Sequence, residues 1–306
     1  MKMLNFGSLN IDHIYHVDHF VTPGETIAAA SLSVSAGGKG LNQSIALARS
    51  GLTTYHAGCI GADGIFLKTL LEERGVQTNY LRTIDGVNGH AIIQVNAQGQ
   101  NSIIIFGGSN QAITPEQVDQ SLGTLSPEDM VLLQNETNLV GYIARQCHKL
   151  HIPVAFNPSP ISQELLENFP FETVSYLLVN ETEAERITNC HDPEDVAAYL
   201  LARYPDMKVV MTLGSKGAYY ADRDHALYQS AFPVNAVDTT GAGDTFTGFF
   251  LGLVQQGYSC AEALRYACAA SAIAVTQDGA APSIPTLDMV QAFLSKRKQE
   301  FAQIRT

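Results

Sequence analysis

Residues 238–250 read DTTGAGDTFTGFF, three small residues set directly before an acid at the start of an apolar helical pattern. Phe246, Phe249, Phe250, Leu253 and Val254 recur at helical spacing and Gly257 marks a stop. Gly241, Ala242 and Gly243 therefore fall at a helix N-terminus, with Asp244 in its first turn. Such a terminus exposes unpaired N–H groups and the positive end of the helix dipole. With no large side chains over them, these amides could receive an anion carrying developing negative charge. A carboxylate beside that anion could accept the proton of an attacking hydroxyl, which is what phosphoryl transfer to an alcohol requires. The same residues would also serve as a glycine turn before a helix-terminal Asp, a purely structural device. The motif GxxxxGK followed by Ser or Thr is absent, so any nucleotide would have to be held by another architecture.

A second small-residue loop, SAGGKGLNQS at 35–44, precedes a helical pattern. Gly37, Gly38 and Gly40 would let the backbone approach a ligand closely. Lys39 and Asn42 are donors for sugar hydroxyls or a phosphate. The alternative is a flexible loop with Asn42 as helix N-cap.

The elements that must position these loops follow a βαβα order. Apolar strands are expected at MLNFGS, TTYHAGCIG, MVLLQ, PVAFNP, SYLLVN and KVVMTLG. Helices are expected at 42–50, FLKTLLEERG, 138–150, 162–168, 181–188 and 193–203. That alternation predicts an α/β fold, a mostly parallel sheet with helices on both faces. Ligands of such sheets bind outside the carboxyl ends of the strands, where this sequence places its polar loops. Residues 11–35 and 89–106 read as strands with no helix between them, the second as a hairpin turning at Ala97–Gly99. We expect them to form a small β-sheet lid on a single domain spanning 1–306.

The chain has 306 residues, 45% of them apolar, and a net charge of −12. That size allows a large core, and the charge argues against a nucleic-acid or anionic membrane surface. The start MKMLNFGSLN reads as a strand, not a signal peptide, and no run of 18 apolar residues occurs. The five cysteines, without CxxC spacing, read as reduced thiols of a cytoplasmic protein. The KRK at 296–298 reads as the solvated face of a C-terminal helix. His13, His16 and His19 would align as a metal cluster on a helix. In a strand His16 faces away from the other two, so lid surface is the expectation.

The two glycine loops together, GGKGLNQS with Gly51 and Gly61 and then DTTGAGDTFTG, resemble the two signatures of the PfkB, or ribokinase-like, carbohydrate kinase family. GSLNIDHI and PGET before them, NPSP, NETEAE and TLGSKGA between them, and AIAVTQDGAAPSIP after them fall in the family's order. The resemblance implies transfer of the γ-phosphoryl group of ATP to a primary hydroxyl of a small sugar, ribose first. Deoxyribose, a nucleoside, a ketohexose or a keto-deoxy acid are the other acceptors, and a sugar sensor is the non-enzymatic alternative. It assigns Asn10, Asp12, Gly38, Lys39, Asn42 and Glu136 to the sugar, with Ala91 and Ile105 closing over it from the lid. Asp244 becomes the base and Gly241, Ala242 and Gly243 the anion hole. Asn180 and Glu183 would position Mg²⁺ and phosphates largely through water. Thr212, Gly214, Gly217, Gly243 and Cys268 would meet the nucleotide. Asp238, Thr240, Ala274, Gln277, Gly279 and Ser283 match a monovalent-cation site, for which K⁺ is expected. A homodimer paired through the lid is also implied. Four features depart from the family pattern: Phe249 after Gly248, Cys268 in place of a histidine, and His90 and Phe106 at the expected lid–sugar boundary. The segment Ala28–Ser31 differs as well.

Overall fold

The computed structural model describes the backbone of residues 1–303 and the side chains of residues 1–297. The chain enters as β1 (Met3–Phe6), leaves the body in β2 (Asn10–His16) and β3 (Ser31–Gly37), and returns in α1 (Lys39–Arg49). Next come β4 (Thr54–Gly61), α2 (Ile65–Glu73), β5 (Gln77–Ile84), and the hairpin β6 (Gly89–Val95) and β7 (Asn101–Phe106). The middle of the chain is α3 (Pro115–Leu122), β8 (Met130–Gln134), α4 (Val140–Lys149), β9 (Val154–Asn157), α5 (Gln163–Asn168) and β10 (Tyr176–Asn180). It continues through α6 (Glu181–Thr188), α7 (Pro193–Arg203), β11 (Lys208–Thr212), β12 (Gly217–Ala221) and β13 (Ala226–Ser230). The described chain ends in α8 (Ala242–Gln255), α9 (Cys260–Ala274), α10 (Ala280–Ser283) and α11 (Leu287–Gln303).

The large sheet has the order β13-β12-β11-β10-β9-β8-β1-β4-β5. Its strands run parallel except β12, since β12 pairs antiparallel with β11 and β13 pairs antiparallel with β12 at one edge. The central strands are short apolar runs because helices cover both faces. One buried cluster joins Met3, Leu132, Ile45, Phe249 and Ala267 beneath α1, α8 and α9. The other joins Leu4, Leu133, Ile143 and Val196 on the opposite face. Successive strand residues alternate between these two cores, as the pleat requires.

The α/β expectation holds, with differences of detail. β5, α3, β12, β13 and α9 were not anticipated. α1 begins at Lys39, not 42, so Asn42 lies inside the helix and does not cap it; the N-cap is Gly38. Gly38 has φ 95°, a left-handed conformation that costs glycine little.

The two excursions form one four-stranded sheet in the order β3-β2-β6-β7. β2 and β6 pair in parallel, and the two outer pairs are antiparallel. Asn96 shapes the β6–β7 turn: its Oδ1 accepts from the N–H groups of Gln98 and Gln100. Arg297 is half-buried on α11. It donates to the Pro233 carbonyl at 2.7 Å and lies over the Phe293 ring. Lys296 is exposed, and the side chain of residue 298 lies outside the described residues. No helix among the described residues is long and apolar enough to cross a membrane.

Candidate active site

α8 begins where the sequence places it. Gly241 is its N-cap at φ 72°, and the Thr245 N–H returns to the Gly241 carbonyl at 2.8 Å. One anion-hole expectation changes. The Ala242 N–H donates to the Thr239 carbonyl at 3.2 Å and is already used. Among the described residues no acceptor is paired with the Gly243 or Asp244 N–H. A Cβ added at Gly243 would meet open space, so an anion has room above those two donors.

Asp244 is 8% exposed, and both its carboxylate oxygens are occupied from α1. Asn42 Nδ2 donates to Oδ2 at 3.0 Å and Gln43 Nε2 donates to Oδ1 at 2.8 Å. Gln43 was not singled out from the sequence, although it stands beside Asn42 in the same motif. The close approach of the two helices makes this reach possible: any Cβ at Gly248 of α8 would collide with Ala46 of α1.

Carboxylates gather on the other side of Lys39. Glu136, just past β8, accepts a short hydrogen bond from Ser8 Oγ and another from the Lys39 N–H at 3.1 Å. Burial pushes its carboxyl upward against the pull of Lys39. Burial opposes the charge on Lys39, but Asp244, Glu136 and Glu183 outweigh it and hold the ammonium above its ordinary range. Burial, with the charge of Glu136 second, pushes Asp12 up to about 7. Asn10 is buried, and its Oδ1 accepts from Asn110 Nδ2 at 2.7 Å.

Strand register assigns the small sheet its faces. Asp12 pairs with Ala91, and Ala91 with Ile105, so these three share one side. Ala91 is buried while Ile105 is 53% exposed. His90 pairs with Ile11 and with Phe106, on the opposite side. Ring contacts of His90 with Phe106 at 5.1 Å and with His13 at 6.0 Å confirm that face. The expectation that His90 and Phe106 border the sugar is therefore corrected: they point away from Asp12. The segment 28–31 is exposed ahead of β3.

A cavity of about 230 Å³ brings together Lys39, Asn180, Glu183, Thr212, Gly243 and Asp244. Asn180 and Glu183 form a capping box on α6. Asn180 Oδ1 accepts from the Glu183 N–H, and Glu183 Oε2 accepts from the Asn180 N–H. The capping reading of this pair holds, and the same two residues line the cavity. Gly214 and Gly217 shape the turn after Thr212, and the Leu213 N–H donates to the Gly217 carbonyl at 2.8 Å. Neither glycine, nor Cys268, lines this cavity. Cys268 is buried in the core beside α8, and burial pushes its thiol up to about 12.

The family model of the pfkB family carbohydrate kinases matches residues 2–287. The chain belongs to this family. It is a phosphotransferase with an alcohol group as acceptor. The chain is 36% identical over 300 residues to a ribokinase of Haemophilus influenzae, with 94% of this chain and 96% of that one covered. It is 33% identical over 304 residues to a deoxyribokinase of Salmonella typhi, covering 96% and 99%. The solved structure of Arabidopsis thaliana ribokinase complexed with ribose and ATP matches with a TM-score of 0.82 at 31% identity, covering 96% and 98% of the two chains. The fold is ribokinase-like.

In this pfkB kinase the loop before α8 meets the loop after α9. Asp238 Oδ1 accepts from the Thr240 N–H and hydroxyl at 2.9 and 2.6 Å, and Oδ2 accepts from the Gly279 N–H at 2.9 Å. Burial works against the Asp238 charge, but these bonds outweigh it and lower its carboxyl. The Ala274 carbonyl accepts from the Gln277 N–H, and Ser283 Oγ donates to the Ala280 carbonyl. Ala280 in turn packs against Gly241. The histidine segment is no metal cluster: among the described residues no group of three or more His, Cys, Asp and Glu could hold a metal. His19 lies beyond β2 and is bonded to Glu25 and Asp18.

Proposed function

We propose that this ATP-dependent sugar kinase phosphorylates ribose at its 5-hydroxyl, with Asp244 as general base. One observation carries the reading: Asp244 sits at the α8 N-terminus, in one cavity with Lys39, Asn180, Glu183 and Thr212. A phosphate chain lying along that cavity ends above the Gly243 and Asp244 amides, beside the carboxylate that takes the hydroxyl proton. Asp12, Asn42 and Glu136 hold the sugar hydroxyls, with Gly38 and Asn10 shaping their loops. Lys39 bridges the sugar carboxylates and the phosphate side. Ala91 and Ile105 cover the sugar, and closure of 11–35 and 89–106 over the 1–306 kinase domain excludes water from the transfer.

The residues present fit the expected cofactors. Asn180 and Glu183 flank the cavity with oxygens suited to a hydrated divalent ion, and Mg²⁺ bound there would neutralise phosphate charge. Asp238, Thr240, Ala274, Gln277, Gly279 and Ser283 bring a low-lying carboxylate and backbone carbonyls together beside Gly241, a donor set suited to K⁺. The nucleotide lies past Thr212 toward Gly214 and Gly217. Cys268 would border it only from the core. Both outer strands of the small sheet are exposed along most of their length, which supports a homodimer paired through them. The enzyme is assigned to the cytoplasm.

Deoxyribose is the second reading, favoured by the nearly equal likeness to the deoxyribokinase. ADP release with Mg-ATP over a panel of pentoses, nucleosides and hexoses, with and without K⁺, tests both. The highest kcat/KM is expected for ribose, raised by K⁺. A higher value for deoxyribose would overturn the ribose assignment and leave the base and anion hole in place.

A further inference from the structure

A row of polar side chains crosses the apolar face of the large sheet beneath α1. Asn5, Gln134 and Asn157 are each the only polar residue turned toward α1 in their strands, β1, β8 and β9. His56 of β4 lies level with Asn5, and Asn157 level with Gln134. All are buried. Polar groups buried in such a core cost stability unless paired, and these pair with one another and with α1, Gln134 Oε1 alone among them finding no partner.

The pairing has a direction. Asn5 Nδ2 donates to the Gly40 carbonyl at 2.9 Å and to Ser44 Oγ at 2.8 Å. Asn5 Oδ1 therefore faces Gln134 and accepts from its Nε2 at 2.9 Å. The second Gln134 N–H goes to Gln43 Oε1 at 2.7 Å. That turns Gln43 Nε2 toward Asp244 Oδ1 at 2.8 Å and Asn157 Oδ1 at 3.2 Å. Asn157 is fixed in turn, since its Nδ2 donates to the Leu178 carbonyl at 2.9 Å. At the far end Ser44 meets His56 Nδ1, and His56 Nε2 meets the Gly7 carbonyl. Burial holds His56 down at about 4, so it is neutral at the working pH. Backbone carbonyls cannot reverse their role, so anchors at Gly40 and Leu178 both force the Gln43 amide nitrogen onto the base.

We infer that Gln43 is a positioning residue for the general base, its donor held on Asp244 by the buried Gln134–Asn5 and Asn157 amides. This rests on the assignment of Asp244 as base. The network offers that carboxylate donors only and fixes its rotamer while a proton is taken. Lys39 and Glu136 act electrostatically on Asp244, and Glu183 lines the same cavity; all three remain in the variants below.

The test compares kcat, sugar KM and the pH profile of kcat in Gln43→Glu and Gln43→Met, with circular dichroism to confirm folding and Asp244→Asn as reference. Loss of the donor is expected to lower kcat roughly 10–100-fold with little change in sugar KM, the scale of a misplaced catalytic group. In Gln43→Glu a second carboxylate faces Asp244, so the acid limb of kcat is expected to move to higher pH. A merely structural role would leave that limb in place. Unchanged kcat in both variants, or an unmoved acid limb in folded Gln43→Glu, would overturn the inference. If Gln43→Glu does not fold, Gln134→Met decides. It touches no part of Asp244, is expected to lower kcat at constant sugar KM, and overturns the inference if kcat is unchanged. Full turnover in Asp244→Asn would instead mean that the base assignment had failed.

Discussion

Asn42 and Asp244, 202 positions apart in sequence, are joined by a 3.0 Å hydrogen bond in the buried seam between α1 and α8. The bond ties the two glycine loops into one site. Each loop supplies a helix N-terminus, and the absence of side chains at Gly248 and Gly252 lets the helices close until α1 amides reach the α8 carboxylate.

Replacing Asp244 by Asn keeps the shape of that seam and removes the carboxylate proposed as proton acceptor. Turnover is expected to fall by roughly 10²–10⁴, the usual scale for losing a general base. Sugar binding, measured calorimetrically without nucleotide, is expected to persist, because Asp12, Lys39 and Glu136 are untouched. A folded variant with wild-type turnover would remove Asp244 from the mechanism.

Asp12, held at about 7 by burial and by Glu136, predicts a pH dependence with a definite sign. In the proposed role the ionised carboxylate accepts sugar hydroxyls, so kcat/KM for the sugar should rise with pH and level off above about 7. Below that it should lose up to about tenfold per pH unit. Stability runs the other way. The native state keeps a proton that the unfolded chain releases near 3.8. That contribution is complete below 3.8 and is lost as pH rises toward 7. Asp12→Asn is expected to weaken sugar binding, flatten the acid limb, and raise the melting temperature at pH 8 relative to the parent. An acid limb unchanged in Asp12→Asn would assign it to another group.

Much of this was legible because the sheet's central strands are short and apolar and end in polar loops. The elements that escaped lie at edges or carry mixed patterns. β5 mixes exposed and half-buried residues without strict alternation along an outer strand, and β12–β13 add at the other edge. α3 has a readable start, with Thr114 accepting from the Gln117 N–H ahead of Pro115, but only eight residues of mixed polarity follow it. The family resemblance sets His90 and Phe106 at the lid–sugar boundary. Only the register with Ile11 and Asp12 shows which face they take. Gln43 shows the limit differently. Its neighbours Asn5, Gln134 and Asn157 were visible as lone polar residues in apolar strands, but their convergence on Asp244 depends on strand order, which the sequence does not state.

The outer face of the small sheet supplies the next prediction. Ile104 is 63% and Phe106 52% exposed, with Leu32 and Val34 on the same side. If two copies pair there, Ile104→Lys should shift sedimentation from dimer to monomer, because a buried unpaired ammonium is costly. Its side chain faces away from Asp12, so any fall in sugar affinity would come from loss of the partner. A wild-type Ile104→Lys dimer would place the interface elsewhere.

Phe249 and Gly248 divide the stability of the α1–α8 seam between them. Phe249 is fully buried in the core that lies under α1, α8 and α9. Truncation to Ala removes a ring from a close-packed interior and is expected to cost about 3–5 kcal/mol in urea unfolding. Gly248→Val acts in the opposite sense, forcing methyls against Ala46 and the Leu47 N–H, and overpacking of this kind costs about 1–3 kcal/mol. The two should differ in function at permissive temperature. The cavity left by Phe249→Ala lies below the helix and leaves the Asn42–Asp244 bond able to form, so kcat should survive. Gly248→Val pushes α1 from α8 at the level of that bond, so kcat should fall even where the protein remains folded. Equal kcat in the two folded variants would show that the seam serves stability alone.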